Sequence, residues 1–178
     1  MSSDNEADFR QFAGAQMESL RGLAYLTCGD WQLAEDAVCV ALAKLYARWG
    51  AIDRPDSYAR TMVVRAAIDE VRRPWWRRER TVTGAMPEPV VADASTVMLD
   101  RMQIRTALLH LPVRQRAVLA LRYLEGLTVQ ETAEALECPQ GTVTSDTSRG
   151  LASLRRLLDA DDPPVAKATV GRRNEETR

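Results

Sequence analysis

Residues 128–158 read TVQETAEALECPQGTVTSDTSRGLASLRRLL, and this stretch decides the fold of the C-terminal half of the chain. Thr128 and Glu131 stand three positions apart, which is the spacing of a capping box at the start of a helix. Residues 137–139 predict a tight turn after that helix. From Val143 to Leu158 apolar side chains recur every three or four residues, which predicts a second amphipathic helix. Two helices joined by so short a turn indicate a helix-turn-helix, with the small Ala133 where they cross.

The outer face of the second helix is polar, as a helix that enters a DNA major groove requires. Its side chains can reach base edges and phosphate oxygens there. The candidates on this face are Gln140, Thr142, Thr144, Ser145, Ser148 and Arg149. Arg114, Arg116, Arg155 and Arg156 are candidates for contacts to the DNA backbone. Asp146 either accepts a hydrogen bond from a cytosine amino group or faces solvent, and we favour solvent.

Helical periodicity also dominates the rest of the chain. It predicts one helix from about Phe9 to Gly29, a second that Asp30 caps, and a third from Asp56 or Ser57 through Val71. Two more are predicted over 98–111 and 112–124. Residues 81–94 carry Gly and Pro among small side chains without periodicity, which is typical of a linker. The sequence therefore predicts an all-α protein with two small helical domains, 8–80 and 98–158, a flexible linker over 81–97 and a flexible tail over 159–178.

Composition excludes several function classes. The chain has three cysteines without a CxxC pair and one histidine, His110, so we expect no metal, no cofactor and no disulfide framework. A phosphate-cradling glycine loop and an HExxH-like set are both missing from the sequence, which argues against an enzyme. The N-terminus is acidic, and no apolar run reaches the roughly 18 residues that a membrane span needs. We expect a cytoplasmic protein without membrane insertion.

The net charge of −1 conceals an uneven distribution. Residues 1–56 carry nine acidic and five basic side chains, whereas residues 57–80 carry seven basic and three acidic ones. Tyr58, Trp75 and Trp76 interleave with the arginines of this basic stripe. Arginines neutralise phosphates, and an aromatic face that stacks on an exposed base contributes about 1–3 kcal/mol. The stripe therefore predicts contact with single-stranded nucleic acid.

Two sets of motifs, in order along the chain, resemble the extracytoplasmic-function sigma factors. Leu111-Pro112, Leu127-Thr128, Glu131-Thr132-Ala133 and Gly141-Thr142-Val143 resemble the promoter-binding C-terminal domain of that family. Ala34-Glu35-Asp36-Ala37-Val38, Ser57-Tyr58, Ile68-Asp69 and Val71-Arg72-Arg73 resemble its N-terminal domain. The resemblance spans roughly residues 9 to 158. It implies a subunit that gives RNA polymerase its promoter specificity and helps to open the DNA without catalysing a reaction itself.

The resemblance also implies partners and sites. The second helix, with Glu35, Asp36 and Lys44, would bind the β′ clamp helices of core RNA polymerase, and the C-terminal domain would meet the β flap. The −10 promoter element would be bound by Tyr58, Arg60, Arg65, Asp69, Arg72, Arg73, Trp75, Trp76, Arg77 and Arg78. The −35 element would be bound by Arg116, Gln140, Thr142, Thr144, Ser145, Ser148 and Arg149. An anti-sigma partner is usual in the family, and the sequence leaves its existence open.

Several residues depart from the family pattern. Cys39 and Val40 stand where Gln and Glu are frequent, which puts part of the polymerase contact in doubt. Arg65 stands where Asn is frequent, and Thr144 and Asp146 replace residues that are often Lys, Arg or Gln. A helix-turn-helix regulator that is not a polymerase subunit remains the alternative. We expect Glu35 and Asp36 both to be exposed, so that reversing their charges should leave stability nearly unchanged.

Overall fold

A computed structural model describes the backbone of residues 3–73 and 96–161 and the side chains of 5–73 and 102–160. All regular structure in these residues is helical, which confirms the all-α prediction. The helices are α1 (Ser3–Cys28), α2 (Trp31–Tyr46), α3 (Pro55–Arg72), α4 (Thr96–Leu109), α5 (Val113–Leu119), α6 (Val129–Ala135) and α7 (Gln140–Asp161). A π-helical turn, Ala120–Leu124, extends α5. Within the described residues no helix is long and apolar enough to cross a membrane.

Helices α1–α3 pack together as an N-terminal unit. Gly29 ends α1 with φ of 78°, a left-handed conformation that glycine adopts without a steric penalty, and Asp30 then caps α2 through the Leu33 amide. Apolar side chains from all three helices form one core, with Leu20, Val38, Leu45 and Val63 among its largest fully buried members. This unit holds α2 and α3, the two helices with predicted binding residues, in fixed relative positions.

Helices α4–α7 form a C-terminal unit with the predicted helix-turn-helix in α6 and α7. Both hydrogen bonds of the Thr128–Glu131 capping box are present, at 3.1 Å and 2.7 Å. Ala133 is buried against Val118 and Val143 where α6 crosses α7, as its small size predicts. Glu137 makes the turn with φ of 50°, a left-handed conformation that is uncommon outside glycine.

Some element boundaries differ from the sequence prediction. Helix α3 starts at Pro55, one residue before the predicted Asp56, because proline suits the first turn of a helix. Helix α4 begins at Thr96, inside the predicted linker, and α7 extends to Asp161, inside the predicted flexible tail. The rest of the linker and of the tail lies outside the described residues.

The two units are packed against each other, which the sequence did not predict. An apolar cluster joins Leu23, Val64 and Ile68 of the N-terminal unit to C-terminal side chains that include Ala117, Leu121 and Ala135. The Arg105 guanidinium also lies over the Tyr25 ring, 4.6 Å from its centroid. Burying one large aliphatic side chain contributes about 1.5–3 kcal/mol, so a small cluster can hold two such units together.

Candidate nucleic-acid and polymerase surfaces

The predicted polymerase surface lies on α2, but its members are not equally available. The side chains of Asp36 and Lys44 are exposed. Glu35 is half-buried instead, and its Oε1 accepts a hydrogen bond from Arg21 Nη2 of α1 at 2.7 Å. The expectation that both carboxylates are freely exposed was therefore wrong for Glu35. This residue ties α2 to α1 through the ion pair with Arg21, while part of its side chain remains in contact with solvent.

The basic stripe of α3 divides into exposed and occupied side chains. Arg72 and Asp69 are exposed, while Tyr58 is half-buried against the core of the N-terminal unit. Arg73 is exposed and lies 2.9 Å from Glu70, whose side chain is buried. Trp75, Trp76, Arg77 and Arg78 lie outside the described residues. The C-terminal end of α3 thus presents three charged groups to solvent: the Arg72 guanidinium, the Asp69 carboxylate and the Arg73 guanidinium, which is paired with Glu70.

Arg60 and Arg65 of α3 face the C-terminal unit. Arg60 Nη1 donates to the Glu125 carboxylate at 3.0 Å, and its Nη2 lies 3.5 Å from Gln16 Oε1. Arg65 donates to the backbone oxygens of Glu134 and Ala135 and, at 2.8 Å, to the Glu137 carboxylate. Two arginines predicted to bind DNA therefore hydrogen-bond to the C-terminal unit in this structure, and Arg65 does so within the helix-turn-helix.

A polar cavity of about 270 Å³ lies between α3 and the helix-turn-helix. Its lining combines three guanidinium groups with two carboxylates and two apolar side chains: Arg65, Arg72, Arg114, Asp69, Glu137, Ile68 and Leu136. The cavity thus lies between the predicted −10 surface on α3 and the C-terminal unit.

The outer face of α7 is built as the sequence predicted. Gln140, Thr144, Ser148 and Arg149 are exposed, and Thr142 and Ser145 are half-buried. The Thr144 and Ser145 hydroxyls donate to carbonyls of their own helix, at 3.1 Å and 3.0 Å. Each hydroxyl oxygen keeps lone pairs that can accept from a base. This face combines a cation, an amide and hydroxyl groups, the side-chain types that contact phosphates and base edges.

Two predicted positions in the C-terminal unit are corrected. Asp146 does not face solvent: it is 8% exposed, and its carboxylate accepts from Arg114 Nε at 3.1 Å. This ion pair joins α5 to α7, so Arg114 is engaged inside the unit. Arg116 is also 8% exposed and is turned away from the DNA-reading face.

The Arg116 guanidinium lies instead where α5 meets the end of α1. It donates to the Leu109 carbonyl at 3.2 Å and lies 3.5 Å from the Cys28 carbonyl. Burial lowers the pKa of Arg116 from its ordinary value, because desolvation penalises the charged form. The same environment raises the pKa of the buried Cys28 thiol, chiefly through desolvation. Sequence reasoning placed Arg116 on DNA because the family motif fixes its position in the chain and not its surroundings.

Sequence reasoning missed the acceptors that occupy the α3 arginines. Glu125 and Glu137 lie 65 and 72 residues from their partners, and no local pattern joins such positions. In the sequence Glu137 is marked only as a charged residue in a turn. All three cysteines are free thiols, and among the described side chains no group of three or more metal-ligating residues converges.

Comparisons with known proteins match both units. Residues 16–77 match the family model for Sigma-70 region 2, and residues 101–154 match the model for Sigma-70, region 4. The chain is 33% identical to the RNA polymerase sigma-E factor of Streptomyces coelicolor, over 87% of this chain and 88% of that protein. It is 30% identical to the ECF RNA polymerase sigma factor SigM of Mycobacterium tuberculosis, over 84% and 76% respectively.

Two solved structures share the fold. The sigma factor RpoE in complex with the anti-sigma factor NepR from Bartonella quintana has a TM-score of 0.61 at 22% identity, covering 87% of this chain and 99% of that one. CnrH in complex with the cytosolic domain of CnrY has a TM-score of 0.56 at 20% identity, covering 88% and 91%. With both region models matched and relatives aligned over most of their length, the chain belongs to the extracytoplasmic-function (ECF) RNA polymerase sigma factors.

Proposed function

We propose that this sigma factor binds core RNA polymerase through α2, reads the −35 element with α7 and engages the −10 element with α3 and the residues that follow it. The observation that carries this division of labour is the exposed polar face of α7, with Arg149 on it, on a unit separate from the arginines of α3. Residues 8–80 then form region 2, 81–97 the linker, 98–158 region 4 and 159–178 a tail.

Within this proposal the protein acts in the cytoplasm and supplies no catalysis, since the polymerase makes the RNA. Asp36 and Lys44 are the exposed charges of the polymerase surface on α2, and they orient the contact with the β′ clamp helices. The C-terminal unit contacts the β flap. RpoE and CnrH were solved with NepR and CnrY, so an anti-sigma factor is a further proposed partner of this chain.

Binding to core RNA polymerase separates this proposal from a helix-turn-helix regulator that acts alone. The purified chain, mixed with core polymerase, should co-elute with it in size-exclusion chromatography and confer transcription from genomic promoter fragments. A regulator of the other class would bind duplex DNA without the core and would not co-elute. Absence of co-elution at micromolar concentrations would contradict the proposed function.

A pair of variants tests the assignment of the two promoter elements. Arg149→Ala removes an exposed charge from α7, so it should weaken closed and open complexes together and reduce the salt dependence by about one phosphate contact. Replacing Trp75 and Trp76 by Ala should preserve closed complexes and reduce permanganate reactivity at −10 thymines, because stacking requires unpaired bases. A pre-melted template should rescue the tryptophan variant alone. Equal rescue of both variants would contradict the assignment.

A further inference from the structure

We propose that Arg114 and Asp146 are positioning residues for the −35 contact. Their ion pair fixes the rotation of α7 on α5, and thereby the direction in which the outer face of α7 points, without either side chain touching DNA. The inference rests on the proposed function, because it takes that outer face as the −35 surface. It adds two residues of the interior to the determinants of promoter specificity.

Asp146 occupies the inner face of α7. Val143, Asp146 and Gly150 are all buried and are spaced by three and four positions, so they form one stripe directed away from the outer face. A carboxylate in such a stripe loses hydration and requires a partner. Arg114 of α5 supplies it, since its Nε donates to Asp146 Oδ2 at 3.1 Å. The side chains of Arg114 and Asp146 are 36% and 11% exposed, respectively.

A close helix contact lies one turn beyond the ion pair. A Cβ atom added at Gly150 would lie 3.0 Å from Leu119 Cδ1 and 3.5 Å from Gln115 Cβ, so a side chain there would crowd α5. This contact sets the distance between α5 and α7, but an apolar contact has no preferred direction. A hydrogen bond weakens steeply with angle, so the ion pair penalises a rotation that the Gly150 contact tolerates.

The rotation of α7 decides where its outer side chains point. Ser145 and Arg149 are helical neighbours of Asp146, one position before it and three after it. A side-chain tip lies about 5 Å from the helix axis, so a rotation of about 20° displaces it by about 2 Å. Hydrogen bonds to base edges span a range of only about 0.5 Å in donor–acceptor distance. Discrimination between bases therefore depends on the angle at which the ion pair holds α7.

Stability alone does not account for a charged side chain at position 146. Replacing a buried ion pair by well-packed apolar side chains is often neutral or stabilising. A directional pair can instead select one arrangement of two packed helices. Asp146 is also the only charged residue within 140–148, and its pairing with Arg114 keeps an uncompensated negative charge away from the DNA phosphates.

The test compares two single variants that change the net charge in opposite directions. Arg114→Gln removes the cation and Asp146→Asn removes the anion, while the double variant removes both. Asp146→Asn keeps an oxygen that can accept from Arg114, so this variant should fold. The matched controls are Arg155→Gln and Asp159→Asn, which make the same charge changes at exposed positions nearer the end of α7.

The measured quantity is the discrimination ratio of the holoenzyme, reconstituted from the full chain and core polymerase. Selection from a random duplex library with the wild-type holoenzyme provides a promoter. Scrambling its −35 element provides a second duplex with the same −10 element, and the ratio is that of the two Kd values. Phosphate attraction is common to both duplexes, so a change in charge alone cancels in this ratio.

Both single variants should lower the discrimination ratio about three- to tenfold, as expected for partial loss of one base contact. The double variant should lower it no further than the weaker single variant, because the two residues act as one unit. Arg155→Gln should weaken binding to both duplexes alike and leave the ratio unchanged. Ratios of both single variants equal to those of the controls overturn the proposal. Opposite changes in the two variants also overturn it, since a direct electrostatic effect on DNA would give them.

Thr128→Ala separates positioning from stability. It destabilises the same unit at the cap of α6, away from the contact between α5 and α7. At a temperature where circular dichroism shows all variants folded, it should leave the discrimination ratio unchanged. A decrease as large as that of Arg114→Gln would overturn the proposal.

The wild-type chain keeps this inference distinct from the proposed function. A wild-type chain that does not bind core polymerase, or whose holoenzyme shows no −35 preference, contradicts the proposed function. A wild-type holoenzyme that discriminates, with single variants that match their controls, contradicts only the positioning role of Arg114 and Asp146.

Discussion

Charge reversal at two neighbouring residues of α2 separates a polymerase contact from a structural ion pair. Asp36 is exposed, whereas Glu35 is bonded to Arg21 at 2.7 Å, with the two side chains 43% and 26% exposed respectively. We therefore expect Asp36→Lys to weaken core binding without loss of stability. Glu35→Lys should also lower stability, because a lysine at that position faces the Arg21 guanidinium.

The magnitudes follow from exposure. A partly exposed ion pair contributes about 0.2–1 kcal/mol, so replacing attraction by repulsion at Glu35 should cost about 1 kcal/mol of unfolding free energy. For a chain of this length that corresponds to a decrease in Tm of about 2–4 °C. Asp36→Lys should stay within about 0.5 kcal/mol. If reversing a charge at the rim of the interface costs about 1 kcal/mol in binding, core affinity should decrease about fivefold, and less at high salt.

Differential scanning fluorimetry and a titration of labelled sigma factor with core polymerase measure the two effects. Asp8→Lys is the control, since Asp8 is an exposed carboxylate on α1 outside the predicted polymerase surface. Core affinity of Asp36→Lys equal to that of Asp8→Lys would refute the assignment of α2 to polymerase binding. Equal melting temperatures for Glu35→Lys and Asp36→Lys would refute the structural role of the Arg21 pair.

Four further outcomes are expected. Ala133→Leu should destabilise the C-terminal unit by about 1–3 kcal/mol through overpacking at the α6–α7 crossing and abolish −35 duplex binding, measured by urea unfolding and mobility shift; retained duplex affinity would contradict the crossing role. Thr128→Ala should lower the free energy of unfolding, measured with urea, by about 1 kcal/mol. A loss no larger than that from replacing a surface threonine outside a helix cap would contradict the capping role. Hydrogen bonds from Thr128 lower the pKa of Glu131 in the folded protein. The stabilisation from ionised Glu131 is therefore fully present above the pKa of the unfolded state and is lost as pH falls through the lower folded pKa. Glu131→Gln should reduce the dependence of the unfolding free energy on pH in this acidic range. A maleimide should label the exposed Cys39 quickly and the buried Cys28, whose thiol pKa is raised, slowly; comparable rates would contradict the burial of Cys28.

Features that depend on neighbours within one or two turns were determined by the sequence alone. The Thr128–Glu131 capping box, the Asp30 cap and the small Ala133 at the crossing all appear in the structure as predicted. The outward face of α7 follows from the spacing of its apolar residues for the same reason. Such signals act over three or four positions, where helix geometry alone fixes which side chains meet.

Which charged side chain meets which was decided only by the tertiary structure. The chain has 24 basic and 25 acidic side chains, and no local rule pairs Arg65 with Glu137 across 72 residues or sets Arg116 beside Cys28 across 88. Those pairings depend on how the N-terminal and C-terminal units dock, through apolar side chains that any helix core could contain. Asp146 likewise has a polar neighbourhood in the sequence, yet packing of α5 on α7 buries it against Arg114. Burial of a charge is a property of the assembled surfaces, because the desolvation it suffers comes from residues distant in the chain.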